Sequence, residues 1–72
     1  MNKNDFNNLK EGNKVLHKDF GICKIVGFVV WNAKDKDIIL EPTTKEGKYK
    51  LQICGKANAP FLEGDKRLIR KA

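Results

Sequence analysis

The residues with chemistry to offer are few, and several of them crowd into one stretch, GNKVLHKDFGICKIVGFVVW, residues 12–31. It holds the sole histidine, His17, the sole tryptophan, Trp31, and one of the two cysteines, Cys23. An imidazole and a thiol six residues apart invite a nucleophile–base reading, which requires the base to be oriented by a third group. Asp19 is close enough in sequence to be that group. A general base also has to be aimed at the proton it removes, and nothing around His17 specifies such a target. His17 therefore reads as a structural residue at a strand end. Lys24 beside Cys23 would lower a thiol pKa, but Cys23 sits inside an apolar run and reads as a small strand residue. Cys54, at the end of a later run, reads the same way.

Metal chemistry fares no better. One His and two Cys, with no CxxC, do not supply the four ligands of a structural zinc site. Asp35, Asp37 and Glu41 lie near one another, but Lys34 and Lys36 interleave them, the pattern of a solvated hairpin and not of a calcium loop. No glycine-rich phosphate loop is present. The expectation is a non-enzymatic protein with no catalytic residues, metal, cofactor or small-molecule substrate.

Charge and aromatic residues remain. Among 72 residues, 33% are charged and the formal net charge is +6. A surplus of this sign points to nucleic acid or an acidic protein surface. Lys24, Lys34 and Lys36 fall on one expected hairpin, and Lys45, Lys48 and Lys50 on the next. Adjacent hairpins would merge them into one basic face, which Lys66, Arg67, Arg70 and Lys71 would extend. Contacts from such a face to phosphates are salt-sensitive and independent of sequence. Trp31, and Tyr49 between Lys48 and Lys50, are candidate anchors for a partner or a stacked base. The candidate binding residues are thus Lys24, Trp31, Lys34, Lys36, Lys45, Lys48 and Lys50.

These side chains need a scaffold, and the apolar pattern supplies one. Residues 1–11 form a polar segment anchored by Phe6 and Leu9, in which Asp5 could cap one helical turn. Gly12-Asn13 signals a turn, KVLH (14–17) a short strand, and KDFG (18–21) a tight turn with Gly21 at positive φ. ICKIVGFVVW (22–31) is the strongest strand, rich in β-branched and aromatic residues. It is apolar on both faces, with Ile22, Val26, Phe28 and Val30 on one and Ile25, Val29 and Trp31 on the other. Gly27 at its centre is expected to mark a bulge or bend, where a bulky residue would be costly. NAKDKD (32–37) reads as a hairpin loop, IILEP (38–42) as a strand and TTKEG (43–47) as a turn. KYKLQIC (48–54) alternates cleanly, with Tyr49, Leu51 and Ile53 facing one way and Lys48, Lys50 and Gln52 the other. GKANAPFLEGD (55–65) is a long connection containing Pro60, Phe61 and Leu62, and KRLIRK (66–71) a last short strand. The chain reads as one mostly-β domain, a small SH3-like or Tudor-like barrel of about five strands over residues 12–72.

The motif GNKVLHKDFGICKIVGF resembles the opening of two related families of small bacterial β-barrels. One is the RNA-polymerase-interacting domain of CarD-type regulators and transcription–repair coupling factor. The other is the Tudor-like C-terminal domain of UvrD/PcrA-type helicases. Both open on a pattern like G-D-x-V-x-H-x-x-F/Y-G-x-G-x-V, matched here by Gly12, Val15, His17, Phe20, Gly21 and Ile25, with Asn13 in place of Asp and Cys23 in place of the second Gly. The resemblance implies an SH3-like or Tudor-like barrel, and the physical reading of the motif agrees: Phe20-Gly21 closes the first hairpin with the ring packing over the barrel end, and Val15 and Ile25 pair across that hairpin toward the core. It also implies docking on RNA polymerase or work near DNA. The alternative is a protein-binding antagonist or adaptor, encoded by a phage or mobile element, that uses Trp31 and an exposed strand edge for β-augmentation.

No stretch approaches the length of a membrane span, and MNKNDFNNLKEG (1–12) lacks the apolar run of a signal peptide. A cytoplasmic protein with no membrane partner is expected. A small secreted domain would carry more cysteines, so both thiols should be free. Titration with a thiol reagent under denaturing, non-reducing conditions is expected to count two thiols. A count of zero, with the mass of an intramolecular disulfide, would place the chain in an oxidising compartment instead.

Overall fold

Apolar residues at every second position of short segments, broken by glycine turns, give a sheet. The computed structural model describes residues 1–55 and 68–72. Its elements are a short helix α1 (Lys3–Asn7) and five strands: β1 (Lys14–His17), β2 (Gly21–Val30), β3 (Lys36–Pro42), β4 (Leu51–Ile53) and β5 (Ile69–Lys71). A 3₁₀ turn spans Thr43–Lys45. The strands lie in the order β4-β3-β2-β1-β5 with every neighbouring pair antiparallel. They form a curled half-barrel, the mostly-β, SH3-like architecture expected from the pattern. The connection beyond Gly55, with Pro60, Phe61 and Leu62, lies outside the described residues, as do Lys66 and Arg67.

The β1–β2 hairpin follows from its turn. Residues 18–20 form the turn, and Gly21 closes it at φ +69°, a conformation open to glycine at little cost. That turn sets Val15 opposite Cys23 and His17 opposite Gly21. The expected pairing of Val15 with Ile25 is therefore displaced by two residues: both side chains are buried, but the Ile25 N–H donates to the Asn13 carbonyl, 2.8 Å away.

The expected irregularity in β2 is real and sits one residue earlier than Gly27. Ile25 stands opposite Leu40 and Gly27 opposite Ile39, so Val26 is the supernumerary residue of a β-bulge. Beyond it Phe28 faces Ile38, which puts Ile25 and Phe28, three residues apart, on the same inner face. The bulge thus explains the two-sided apolar pattern. Gly27 itself is not left-handed, and a Cβ there would lie 3.9 Å from Ile39 Cγ1, an ordinary contact. The expectation that a larger side chain is costly at Gly27 has no basis in the structure.

Several strand boundaries also differ from the pattern: β2 runs from Gly21 to Val30, which leaves Trp31 just beyond the strand it was expected to end. β3 begins at Lys36, because Val29 and Val30 continue the ladder onto Asp37 and Lys36. Asp37 is therefore not in a solvated loop: it is 5% exposed, and accepts from Gln52 Nε2 at 2.7 Å and from the Gly55 N–H at 3.3 Å. β4 covers only Leu51–Ile53, opposite Ile38 to Leu40. Residues 48–50 precede the pairing, with the Lys48 N–H turned back to the Lys45 carbonyl at 3.0 Å. The predicted inner position of Tyr49 is lost with it.

The N-terminal segment closes the inside of the curl. Asn2, and not Asp5, caps α1, its side chain accepting from the Asp5 N–H at 2.8 Å. Asp5 lies in the first turn, where a negative charge suits the helix dipole, and pairs with Lys71 at 3.3 Å. A five-residue helix has no stability of its own. It is held by Phe6, fully buried among Val15, Cys23, Ile25, Ile38, Leu40, Ile53 and Ile69. The ring packs on Gly55, where a Cβ would collide with the Lys36 carbonyl oxygen and come within 2.5 Å of Phe6 Cε1.

Phe6→Ala is expected to cost about 3–5 kcal/mol, comparable to the whole stability of a domain this small, roughly 4–10 kcal/mol. Urea unfolding followed by circular dichroism should show the midpoint of the variant lowered by a large fraction of the wild-type value, with Phe6→Leu intermediate. An unchanged midpoint would show that α1 contributes nothing to the fold.

Candidate functional site

The sheet sorts the seven candidate residues into two groups at opposite ends of β3. That strand has seven residues, so its ends stand about 20 Å apart at 3.3 Å per residue. The single continuous basic face expected from adjacent hairpins is divided accordingly.

Trp31, Lys34 and Lys36 lie at the start of β3. The turn there is built by Asn32, whose Oδ1 accepts from the Lys34 and Asp35 N–H groups at 2.8 and 2.9 Å, while the Trp31 N–H donates to the Asp35 carbonyl at 3.0 Å. Lys36 is engaged within the fold. Its Nζ lies 3.4 Å from the carbonyl oxygens of Asn7 and Leu9 and 4.3 Å from the centre of the Phe28 ring, a cation–π contact. Lys3, which was not among the candidates, bridges Asp35 Oδ1 at 2.8 Å and the Gly55 carbonyl at 2.7 Å. Lys34 is exposed. Trp31 is 58% exposed and adjoins Val30 at 71%. A cleft of about 560 Å³ opens between α1 and this turn, lined by Lys3, Lys34 and Lys36 but also by Asp35. Its electrostatic character is mixed.

Lys24, Lys45, Lys48 and Lys50 lie toward the other end. Lys24 is on the outer sheet face, with Lys14 and Glu41 as its cross-strand neighbours. The other three surround an aromatic pair. Tyr49, 43% exposed, rests on Phe20 with ring centres 5.4 Å apart and planes tilted by 35°. Phe20 in turn meets His17 edge-on at 5.1 Å. The edge-on contact is one of the favoured aromatic geometries. A line of three rings therefore runs from the buried end of β1 to the surface. On one side of Tyr49, Phe20, Thr44, Lys45 and Lys48 line a concavity of about 550 Å³. No carboxylate lines it among the described residues. On the other side Lys50 shares a hollow of about 460 Å³ with His17, Asp19 and Gln52.

His17 holds this arrangement by structure and not by reactivity. Its Nδ1 accepts the Asp19 N–H at 3.0 Å, which fixes the turn that carries Phe20 and leaves the proton of the neutral ring on Nε2. Burial lowers its pKa from the ordinary histidine value, opposed by the Asp19 carboxylate. Cys23 is buried, its Sγ lies 3.6 Å from the Gly21 carbonyl, and burial pushes its thiol pKa up, the reverse of what a nucleophile needs. Both cysteines are free. Among the described residues, no group of three His, Cys, Asp or Glu side chains is placed to hold a metal ion.

Phe20 and Thr44 were not singled out as binding residues by their sequence. The contact that matters, Phe20 to Tyr49, joins two turns 29 residues apart, and its only local signal is an aromatic at each turn. No family model matches the chain. Comparisons with curated proteins and with solved structures likewise gave no match.

Because the folded state disfavours protonated His17, the unfolded chain binds the proton more readily near the ordinary value of about 6.5. His17 thus contributes stability that is complete above that pH and is lost as pH falls through its lower folded-state pKa. Urea midpoints are expected to decline from about pH 6.5 toward pH 5, ahead of carboxylate titration, and His17→Gln should flatten that decline. A wild-type midpoint that is flat or rises over this window would show that His17 is not held neutral.

Proposed function

We propose that this chain is a non-enzymatic, cytoplasmic binding module acting around transcription or DNA. It docks an anionic partner, an acidic surface of RNA polymerase or nucleic acid, through the lysine-flanked aromatic pair at Phe20 and Tyr49. The observation that carries this reading is the concavity beside Tyr49, lined by Lys45 and Lys48 with no carboxylate among the described residues. A half-exposed aromatic ringed by cations is a common anchor at interfaces. The net charge of +6 supports an anionic partner, and the resemblance of the Gly12–Ile25 motif to polymerase-docking barrels supports the setting.

A second reading is favoured by one specific feature. Val30 and Trp31, consecutive in the chain, are both exposed at the opposite end of β3, and β4 and β5 are the outer strands of the described sheet. A protein-binding antagonist or adaptor of phage or mobile-element origin would use that apolar corner and a strand edge.

The two readings separate by substitution and salt. Lys45→Glu with Lys48→Glu is expected to leave folding nearly intact, since exposed changes fall within about 0.5 kcal/mol each. It should weaken binding to core RNA polymerase or to mixed-sequence oligonucleotides more than tenfold at about 50 mM salt, and wild-type affinity should fall steeply toward about 200 mM. On the second reading Trp31→Ala abolishes binding to a protein partner, while the lysine changes and salt do little. Binding untouched by either set would remove both surfaces.

A further inference from the structure

We infer that the Phe20–Tyr49 end of the barrel is a single-stranded nucleic-acid site, in which one base stacks on Tyr49 and the adjoining phosphates meet Lys45, Lys48 and Lys50. This rests on the anionic-docking reading and narrows it to one ligand class.

The geometry carries the choice. Tyr49 is backed by Phe20, and Phe20 by His17. The His17 ring is held by the Asp19 N–H. The tyrosine is therefore a supported platform, with two-fifths of its surface still open. A π-face offered in this way suits a base, and stacking of bases on aromatic side chains tolerates any sequence. An acidic protein segment would use the lysines but gain nothing specific from the ring stack. Duplex nucleic acid would also use the lysines, but its bases are already stacked on one another and reach an aromatic side chain only when unstacked.

The cations are distributed to match. Lys45 and Lys48 line one concavity beside Tyr49, and Lys50 lies with Asp19 in a second hollow that Tyr49 also lines. Lys48 and Lys50 are at most about 7 Å apart along the chain, close to the separation of successive phosphates in an extended strand. Among the described residues, few polar groups are placed to read a base edge: the Thr44 hydroxyl beside Lys45 and Lys48, and His17, Asp19 and Gln52 in the hollow of Lys50, of which Gln52 already donates to Asp37 and His17 already accepts from the Asp19 N–H. Binding by this site is accordingly indifferent to sequence, with a preference for unpaired strands. The Trp31 corner does not offer the same combination, since Lys36 there is engaged with the carbonyls of Asn7 and Leu9 and Lys3 with Asp35.

The test uses the full chain and fluorescence anisotropy with three labelled probes of equal phosphate count: oligothymidylate of about twelve nucleotides, within the usual range of site sizes, an abasic strand of the same length, and a duplex. Oligothymidylate is expected to bind at least tenfold more tightly than the other two. Tyr49→Ala should weaken oligothymidylate binding about 5- to 100-fold and leave abasic binding unchanged. Tyr49→Phe should retain wild-type affinity, and Tyr49→Leu, which keeps apolar bulk without a π-face, should behave as Tyr49→Ala. Melting curves for each variant separate loss of stacking from loss of fold. Equal binding of all three probes, lost together in the Lys45→Glu, Lys48→Glu variant, would overturn the stacking site while leaving the anionic-docking reading intact. Lysine-dependent binding to RNA polymerase with no binding to any oligonucleotide would do the same. Loss of oligothymidylate binding in Trp31→Ala but not in Tyr49→Ala would place the stacked base at the wrong end and overturn the proposal.

Discussion

The packing of the Phe6 ring on Gly55 is the contact on which the half-barrel depends. A curled sheet of short strands leaves its inner surface open unless something fills it, and burying one Phe is worth about 2–3 kcal/mol. The ring can sit there because residue 55 has no side chain. The same residue is tied on both sides of its Cα. Its N–H donates to Asp37 on β3 and its carbonyl accepts from Lys3 on α1. Burying a carboxylate such as Asp37 is costly unless it is hydrogen-bonded. Here Gln52 and Gly55 supply both donors, so the charge fixes the β3–β4 register without being left unsatisfied.

What the sequence makes legible follows from range. β1, its turn and the body of β2 are local: β-branched residues, a glycine in the right place, and period-two burial. The bulge was legible in kind, because a strand apolar on both faces cannot stay regular, but its position depends on the partner strand. Asp37 and Lys36 looked like loop residues because the groups that engage them lie far away in the chain, at Gln52 and Gly55 for one and at Asn7, Leu9 and Phe28 for the other. The clean alternation through Tyr49 misled for the opposite reason. The pattern is there, but β3 offers partners only to Leu51–Ile53, and alternation without a neighbour does not make a strand.

The candidate site shows the same division. Counting lysines located both groups without ranking them, since charge alone does not distinguish a cation holding a helix from one facing solvent. The distinction came from what lies beside each: the backbone carbonyls of Asn7 and Leu9 around Lys36, a carboxylate beside Lys3, and, among the described residues, aromatic rings with no carboxylate in the lining of the Lys45–Lys48 concavity. The aromatic line from His17 through Phe20 to Tyr49 makes the surface at that end an outgrowth of the buried hairpin. Phe20, the ring on which Tyr49 rests, is carried by the β1–β2 turn and not by the 43–50 segment that supplies the lysines.

The bulge at Val26 has a bearing on how this domain tolerates changes in length. Removing a residue from a regular strand turns every later side chain to the opposite face. In β2 the supernumerary Val26 is an exception, because Ile25 and Gly27 already face consecutive residues of β3, Leu40 and Ile39. Excising Val26 alone would close the ladder without a frameshift in facing: Phe28 would still point at the core and the Asn32 turn would keep its place. The same single-codon loss at Lys24 or Val29 would invert part of the strand. The bulge at Val26 and Gly27 is thus where the longest strand can lose one residue without changing which later side chains face the core, at the expense of the extra twist the bulge gives the sheet.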